Sequence, residues 1–265
     1  MKNITIIVPV HVFDETLLNR AINSIPDKDN ELYTLLFVGP KDICKKSEKL
    51  AKKCGIKFQI VSVENDDTDI QTQINKAVFS CVTKYFTVLE FDDEFTDIYF
   101  NVMQRYVEQR PELSVILPVN EFCDTDGKMI SFGNEIALDP SFSESVDGNE
   151  DLGLVGLGGL EVFMDFNCTG GLIKTEDFIS VGGLKKSLKI ASWYEYLMRV
   201  AYNDKKIMVI PKIGYRHMIN RPGSYLENAK TEISKEEGQF LIKTAKQEYF
   251  FKDDRNKVFG ENNEA

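Results

Sequence analysis

Runs of apolar, β-favouring residues alternate with helical patterns in the first half of the chain. Apolar residues at helical spacing between these runs predict helices, and Asp14 is a plausible N-cap for the first of them. Strands that alternate with helices are typical of βαβ units and of a mostly parallel sheet. The predicted strands lie at residues 4–9, 32–38, 56–63, 85–90 and 113–119.

The second half of the chain has a weaker pattern. Asp126-Gly127 predicts a turn that begins a hairpin. Residues 139–161 are acidic and then Gly-rich without a clear period, which favours a mobile loop that acts as a lid. The remaining predicted elements are a helix at 95–109, strands at 170–173 and 207–210, and helices at 193–202 and about 236–250.

The fourth predicted strand ends in acidic residues, namely Glu90, Asp92, Asp93 and Glu94. The carboxyl ends of strands are where an open α/β sheet binds its ligand, and hard carboxylate oxygens suit Mg²⁺ or Mn²⁺. The same acids also precede a helical pattern, where they would act as an N-cap and as first-turn charges that complement the helix dipole. The pattern alone leaves both interpretations open.

Composition narrows the class of protein. The chain has 265 residues, 43% of them hydrophobic, a composition that predicts a globular protein. Its formal net charge of −10 predicts no general surface for binding a nucleic-acid backbone. Its five cysteines form no C-x-x-C pair and are expected to be reduced, mostly buried thiols. No segment has the length of a membrane span or the features of a signal peptide, so we expect a cytoplasmic protein.

Three segments together resemble the family-two glycosyltransferases of the GT-A fold. Residues 4–11 with the following 17–25 helix resemble the family's opening strand and helix, and residues 84–93 resemble the strand that ends in its D-x-D metal motif. Residues 169–184 resemble its acceptor-side segment. The resemblance spans about residues 4–224 and implies an α/β, GT-A-like fold with a mostly parallel central sheet flanked by helices.

The resemblance also implies a domain organisation. Residues 1–225 would form the catalytic domain, with a donor-binding half at 1–120 and an acceptor-side half at 121–225 that contains the 139–161 loop. Residues 226–265 would form a C-terminal helical extension.

The resemblance implies a nucleotide-sugar donor, with a UDP-sugar weakly favoured, and Mn²⁺ or Mg²⁺ as cofactor. Asp92 holds the metal-binding position of the D-x-D motif, His217 would complete the metal site, and Glu90 replaces the first Asp. Asp93 and Glu94 are expected mainly to cap the helix that follows. The residues expected to contact the donor are Pro9, His11, Asn75, Glu90, Phe91, Arg216 and Arg221.

Two departures from the family pattern concern the nucleobase and the catalytic base. Where the family has an Asp pair after the second strand, this chain has Gly39-Pro40. The family's acidic pair before a Leu-x-Arg segment aligns with Ser192-Trp193, so Glu195 is the nearest carboxylate and we expect a semi-exposed Glu195 to act as general base. On the acceptor side the resemblance points to Gly170, Gly171 and Trp193.

We therefore expect a metal-dependent and inverting glycosyltransferase that transfers a sugar to a hydroxyl acceptor, which would be a saccharide, a protein or a modified nucleobase. One alternative is a degenerate GT-A-like module that binds a nucleotide sugar without transferring it. Another is a nucleotidyltransferase, although residues 11–14 lack the Gly-rich, basic loop that would hold a triphosphate.

Overall fold

The computed structural model describes residues 4–67, 69–142 and 152–251. Its strands are β1 (Ile4–Pro9), β2 (Tyr33–Gly39), β3 (Gln59–Glu64), β4 (Tyr85–Val88), β5 (Glu94–Phe95), β6 (Leu113–Cys123), β7 (Met129–Gly133), β8 (Leu154–Val155), β9 (Leu172–Lys174) and β10 (Lys206–Met218). Its α-helices are α1 (Glu15–Asn23), α2 (Lys41–Lys53), α3 (Ile70–Phe79), α4 (Tyr99–Gln109), α5 (Leu157–Val162), α6 (Thr175–Ser180), α7 (Ser192–Tyr202), α8 (Tyr225–Glu232) and α9 (Lys235–Glu248). Short 3₁₀ helices lie at Glu135–Leu138 and Lys186–Ala191.

Within the described residues the strands form one sheet, in the order β3-β2-β1-β4-β9-β6-β10-β5, with β7 beside β6 and β8 beside β10. Strands β3, β2, β1 and β4 are parallel to one another. Strand β9 is antiparallel to both β4 and β6, so β6 and its parallel neighbour β10 run in the same direction as β4. The carboxyl ends of β1, β4, β6 and β10 consequently meet at one edge of the sheet, which confirms the mostly parallel sheet that the sequence predicts.

Hydrophobic cores cover both faces of this sheet. Alternate residues of β1 divide between them: Ile6 and Val8 pack into one cluster and Ile7 into the other. Both faces are buried because helices cover them, which explains why the strands are continuous apolar runs rather than alternating ones. All five cysteines are free thiols, as expected.

Side-chain caps define the starts of α1 and α3. Asp14 is the N-cap of α1, where its side chain accepts hydrogen bonds from the backbone N–H groups of Thr16 and Leu17. Asp69 caps α3 in the same way by accepting from Thr72 N–H. These caps satisfy backbone donors that have no partner inside the helix.

The helix predicted at 95–109 begins only at Tyr99. Glu94 and Phe95 instead form β5 and pair with Arg216 and Tyr215 of β10. The interpretation of the acids as the cap of this helix is therefore wrong, because a strand and a turn separate them from it.

The loop predicted at 139–161 is partly regular. Leu154 and Val155 pair with β10, and Leu160 of α5 is buried in the core. Residues 143–151 lie outside the described residues, so the prediction of a mobile lid remains a prediction for that stretch.

The C-terminal segment is helical, as expected, over α8 and α9. Ala229, Ile233, Leu241 and Ala245 bury their side chains against the core, so these helices belong to the main body. Residues 252–265 of the expected extension lie outside the described part of the chain. Among the helices that the structure describes, none combines the length and the hydropathy needed to cross a bilayer.

Candidate functional site

A cavity of about 350 Å³ lies at the sheet edge where the strands β4 and β10 end. Its lining joins the acidic turn after β4, the residues before β9, the start of α7 and the chain that follows β10. The lining side chains used below are Gln71, Glu90, Asp92, Asp165, Asn167, Thr169, Lys189, Ser192, Trp193, Tyr194, His217, Met218, Tyr225 and Glu227.

The acidic turn is fixed on both sides. Leu89 N–H donates to the carbonyl of Ile7 at 2.9 Å, so the chain leaves β4 still attached to β1. On the far side the pairing of β5 with β10 holds Glu94 opposite Arg216. The carboxylates between these anchors therefore occupy defined positions rather than a free loop.

Glu90, Asp93 and His217 bring one potential ligand atom each to within 4.8 Å of one another. His217 Nδ1 lies 2.7 Å from Asp93 Oδ2, and Met218 N–H donates to Asp93 Oδ1 at 2.8 Å. Asp93 is thus a site residue and not a helix cap. Asp92, the ligand expected from the D-x-D resemblance, lies outside this cluster, which contains Glu90 and His217.

The cluster changes the ionisation of its members. Burial, followed by the charge of Asp93, raises the pKa of Glu90 to about 8 because ionising it would add a second buried negative charge. Burial works to lower the pKa of His217, but the charge of Asp93 and the hydrogen bond to it outweigh that effect and raise this pKa to about 9. Without a bound cation, the cluster therefore retains protons at neutral pH.

Arg221 occupies the other side of the acidic turn. Its Nε donates to Asp92 Oδ2 at 2.6 Å, and its guanidinium carbon lies 5.0 Å from the centre of the Phe91 ring. Its Nη2 is buried and has no hydrogen-bond partner within the described residues. Burial and the charge of Asp93 raise the pKa of Asp92, although the bond to Arg221 opposes this rise. Arg221 thus carries an unused, buried donor next to Asp92, which lines the cavity.

A narrow recess adjoins the cavity, lined by Pro9, His11, Phe91 and Tyr225 among others. The His11 and Phe91 rings meet edge to face, with centroids 5.3 Å apart. Burial lowers the pKa of His11, and a hydrogen bond to the backbone of Gly223 offsets part of this effect. The lowered pKa favours a neutral ring. Pro9, His11 and Phe91 therefore lie together where the ends of β1 and β4 meet.

Gly39 explains one departure from the family pattern. A Cβ at this position would lie 2.0 Å from the carbonyl oxygen of Val10, so no side chain fits there without moving β1 or β2. A base-reading carboxylate is therefore excluded at the residue that ends β2.

Arg216, which was expected to contact the donor, does not line this cavity. Successive residues of a strand point to opposite sides, and His217 takes the cavity side. Arg216 instead pairs with Glu121 at 3.0 Å in a neighbouring cavity of about 200 Å³, which shares Asp92 and Met218 with the first.

The expectation of a semi-exposed Glu195 is also wrong. Glu195 is 0% exposed, and its two carboxylate oxygens accept from Arg199 at 2.9 and 2.7 Å. Lys185 Nζ adds an ion pair at 2.9 Å. Helical spacing places Glu195 and Arg199 on one face of α7, and that face is turned into the core. A carboxylate held in this way cannot reach an acceptor hydroxyl, so Glu195 is structural.

Asn75 is structural as well, contrary to its expected donor contact. Its amide donates to the carbonyl of Leu184 at 2.8 Å and accepts from Leu184 N–H at 2.8 Å. The side chain is 2% exposed, so α3 uses it to hold the turn after α6.

The expected acceptor-side residues divide into two groups. Trp193 lines the cavity while it packs against Phe178 and Tyr196, with ring centroids 6.5 and 5.7 Å apart. Gly170 and Gly171 pack within the sheet: a Cβ on Gly170 would lie 2.4 Å from the Tyr215 ring, and one on Gly171 would lie 2.8 Å from Leu117. Among the described residues, neither glycine lines the cavity.

Sequence reasoning missed Gln71 and Tyr215. Buried Gln71 donates to the carbonyl of Lys189 at 2.7 Å and to Ser192 Oγ at 3.0 Å, and accepts from the Tyr225 hydroxyl at 3.0 Å. Tyr215 accepts from Glu90 N–H at 3.1 Å and its hydroxyl also bonds Asp93. No local motif announces either residue, because their partners are distant in the sequence.

No protein-family model matches the chain, and no curated protein matches its sequence. Solved structures do match it. TarS 1-349 of S. aureus in complex with UDP-GlcNAc superposes with a TM-score of 0.64 at 13% identity, over 97% of this chain and 70% of TarS 1-349. TarS 1-349 crystallised without a named ligand gives a TM-score of 0.56 at 14% identity, over 82% of this chain and 60% of that one.

The likeness to TarS, a GT-A family glycosyltransferase, shows that this chain has a GT-A-like fold. The fold that the family resemblance implied is therefore confirmed. The chain spans only 37% of the longer TarS structure, which it matches with a TM-score of 0.55 at 14% identity over 82% of its own length.

Proposed function

We propose that this protein transfers a sugar from a nucleotide-sugar donor to a hydroxyl acceptor. The observation that carries the proposal is the convergence, at one sheet edge, of the Glu90, Asp93 and His217 cluster with the unpartnered Nη2 of Arg221. A ligand that fits both must combine metal-binding and anionic groups, which is the chemistry of a diphosphate. A UDP-sugar is the first candidate, because TarS has been solved with UDP-GlcNAc and with UDP.

The cluster fits Mn²⁺ or Mg²⁺. Two carboxylates and one imidazole provide hard oxygen ligands and a nitrogen ligand that Mn²⁺ accepts. Glu90, Asp93 and His217 would hold the ion, which would stabilise the negative charge of the departing diphosphate. The protons that Glu90 and His217 retain must leave as the ion binds.

Arg221 would bind the diphosphate without giving up its present partner. Its Nε is committed to Asp92, so Asp92 acts as the residue that orients the guanidinium. The free Nη2 then donates to a phosphate oxygen, a charge-assisted bond that is stronger than a neutral one. This arrangement gives Asp92 a positioning role in place of the expected metal contact.

The nucleobase would lie against the wall formed by Pro9, His11 and Phe91, since the recess itself, at about 10 Å³, is too small to enclose it. The His11 ring, which packs edge to face against Phe91, would stack on the base, and Gln73 lines the same recess. In this arrangement His11 and Gln73 would contact the nucleobase in place of the carboxylate that Gly39 excludes.

The test is a panel of nucleotide sugars, each with and without Mn²⁺, followed by thermal shift and by release of nucleoside diphosphate. We expect a UDP-sugar to raise the melting temperature in the presence of Mn²⁺ and to be slowly hydrolysed. A chain that responds to none of the donors would contradict the proposal.

The burial of Glu195 favours a second candidate, a module that binds the donor without transferring the sugar. Such a module would show the Mn²⁺-dependent thermal shift and release no diphosphate. The same panel therefore separates the two functions.

A further inference from the structure

With Glu195 locked in the core, the transfer reaction needs a different group to remove the acceptor proton. We propose that Asp165 is this general base, an inference that rests on the proposed function. In the step, the Asp165 carboxylate takes the hydroxyl proton while the acceptor oxygen forms a bond to the anomeric carbon. The bond from that carbon to the diphosphate oxygen breaks, and its electron pair leaves with the nucleoside diphosphate.

The first argument is the set of carboxylates that line the cavity. Among the described residues these are Glu90, Asp92, Asp165 and Glu227. Glu90 belongs to the metal cluster and Asp92 holds Arg221, so both are engaged on the diphosphate side. Glu227 lies on α8 beside Tyr225, which closes the nucleobase recess. Asp165 alone of the four comes from the acceptor-side half of the chain.

The second argument is the state of the Asp165 side chain. It is exposed to solvent at the cavity wall, and within the described structure no hydrogen bond or ion pair engages its carboxylate. A general base must be free to accept a proton from a bound substrate. Glu195, with both oxygens paired, lacks that freedom, whereas Asp165 has it.

The third argument is that the segment that carries Asp165 is firmly anchored. Asn167 exchanges two backbone hydrogen bonds with the side chain of Asn134, at 2.9 and 2.8 Å, and its own side chain accepts from the Thr169 hydroxyl at 2.6 Å. Gly170 N–H then donates to the carbonyl of Val88 at 3.0 Å. Asp165 is thus held above the edge at which β4 presents Glu90, because β9 runs antiparallel to β4.

The surroundings of Asp165 suit an acceptor. Trp193 and Tyr194 line the same cavity, as do the polar side chains of Asn167 and Thr169. Aromatic faces with nearby amide and hydroxyl groups bind the apolar faces and hydroxyls of a sugar ring. An acceptor bound to this wall would bring its hydroxyl to Asp165 within the cavity that Glu90 and His217 also line.

The test compares the full chain with D165N, D165A and the matched control E161Q, an exposed acid four positions upstream. The first measurement is UDP affinity by calorimetry in Mn²⁺. We expect all variants to bind UDP within about twofold of the wild type, because Asp165 does not touch the donor-side groups.

The second measurement is release of UDP from the UDP-sugar with water as the acceptor. We expect D165N and D165A to be slower by about 10²–10⁴-fold, the usual contribution of a general base, and E161Q to be unchanged. Added formate should restore activity to D165A at least about tenfold, since a small carboxylate can replace a missing base but cannot repair a structural fault.

The outcomes distinguish the two proposals. Wild-type turnover in D165N, or a slow D165A that formate does not rescue, overturns the assignment of Asp165 and leaves the donor chemistry intact. A wild-type chain that binds no nucleotide sugar overturns the proposed function itself, and the role of Asp165 with it.

Discussion

Arg221 and Asp92 form an ion pair at 2.6 Å, with the guanidinium lying over the ring of Phe91. The pair joins the segment after β10 to the turn after β4, which are 129 residues apart in the chain. It holds a cation at the position where the proposed donor brings its negative charge.

Replacing Arg221 by Ala should weaken UDP binding by about 10- to 100-fold, because a hydrogen bond to a charged group contributes about 1.5–3 kcal/mol. Calorimetry with UDP and Mn²⁺ measures the change. Arg216→Ala is the matched control: Arg216 lies on the opposite face of β10 and pairs with Glu121, so its removal should leave UDP affinity unchanged. Equal losses in both variants would point to general electrostatics rather than to a contact by Arg221.

Replacing Asp93 by Asn should abolish the stabilisation of the protein by Mn²⁺. The amide removes one of two carboxylates in the cluster, and the ion then loses its main electrostatic partner. Thermal shift across a Mn²⁺ titration measures this. Asp97→Asn, at an exposed acid beyond β5, should respond to Mn²⁺ as the wild type does. A full Mn²⁺ response in D93N would remove Asp93 from the proposed ligands.

Replacing Glu90 by Gln should change how stability depends on pH in metal-free protein. The folded-state pKa of about 8 lies above the ordinary pKa of 4.5, so Glu90 ionises first in the unfolded chain and wild-type stability falls as pH rises from about 4.5 to 8. The Gln variant lacks this loss of stability, because its side chain does not ionise.

The melting temperature of E90Q relative to the wild type should therefore increase steadily between pH 5 and pH 8, measured with EDTA present. A difference that stays constant over this range would show that Glu90 ionises normally.

Replacing Glu195 by Gln should destabilise the fold by about 3–5 kcal/mol, because it leaves the buried charges of Arg199 and Lys185 without their carboxylate. Urea unfolding measures the loss, and Glu176→Gln at an exposed helical position should cost little by comparison. Molecules of E195Q that remain folded should hydrolyse donor at the wild-type rate. A folded but inactive E195Q would show that Glu195 takes part in the reaction.

The sequence predicts the elements whose causes are local. The cap at Asp14 and the apolar runs of β1, β2 and β4 depend on neighbouring residues, and the structure contains them close to their predicted positions. The pairing of β5 with β10 is not local, which is why the acids before Tyr99 resembled the start of a helix.

The site itself was only partly predictable for the same reason. Pro9, His11, Glu90, Phe91 and His217 come together because parallel strands end at one edge, as the pattern of strands implies. The role of Asp93 depends on His217, which lies 124 residues away, and the burial of Glu195 depends on Lys185 and Arg199. One usable signal was the i, i+4 spacing of Glu195 and Arg199, which is typical of an ion pair on a helix.

The missing side chain of Gly170 helps to fix the position of the acids in the turn after β4. Tyr215 fills the space that a Cβ would need, and from there its hydroxyl bonds Glu90 N–H and Asp93. Gly170 also has a positive φ of 71°, so a larger residue there would be strained even beside a smaller residue 215. Both constraints mark Gly170 as a position to leave alone when the acceptor side of this protein is redesigned.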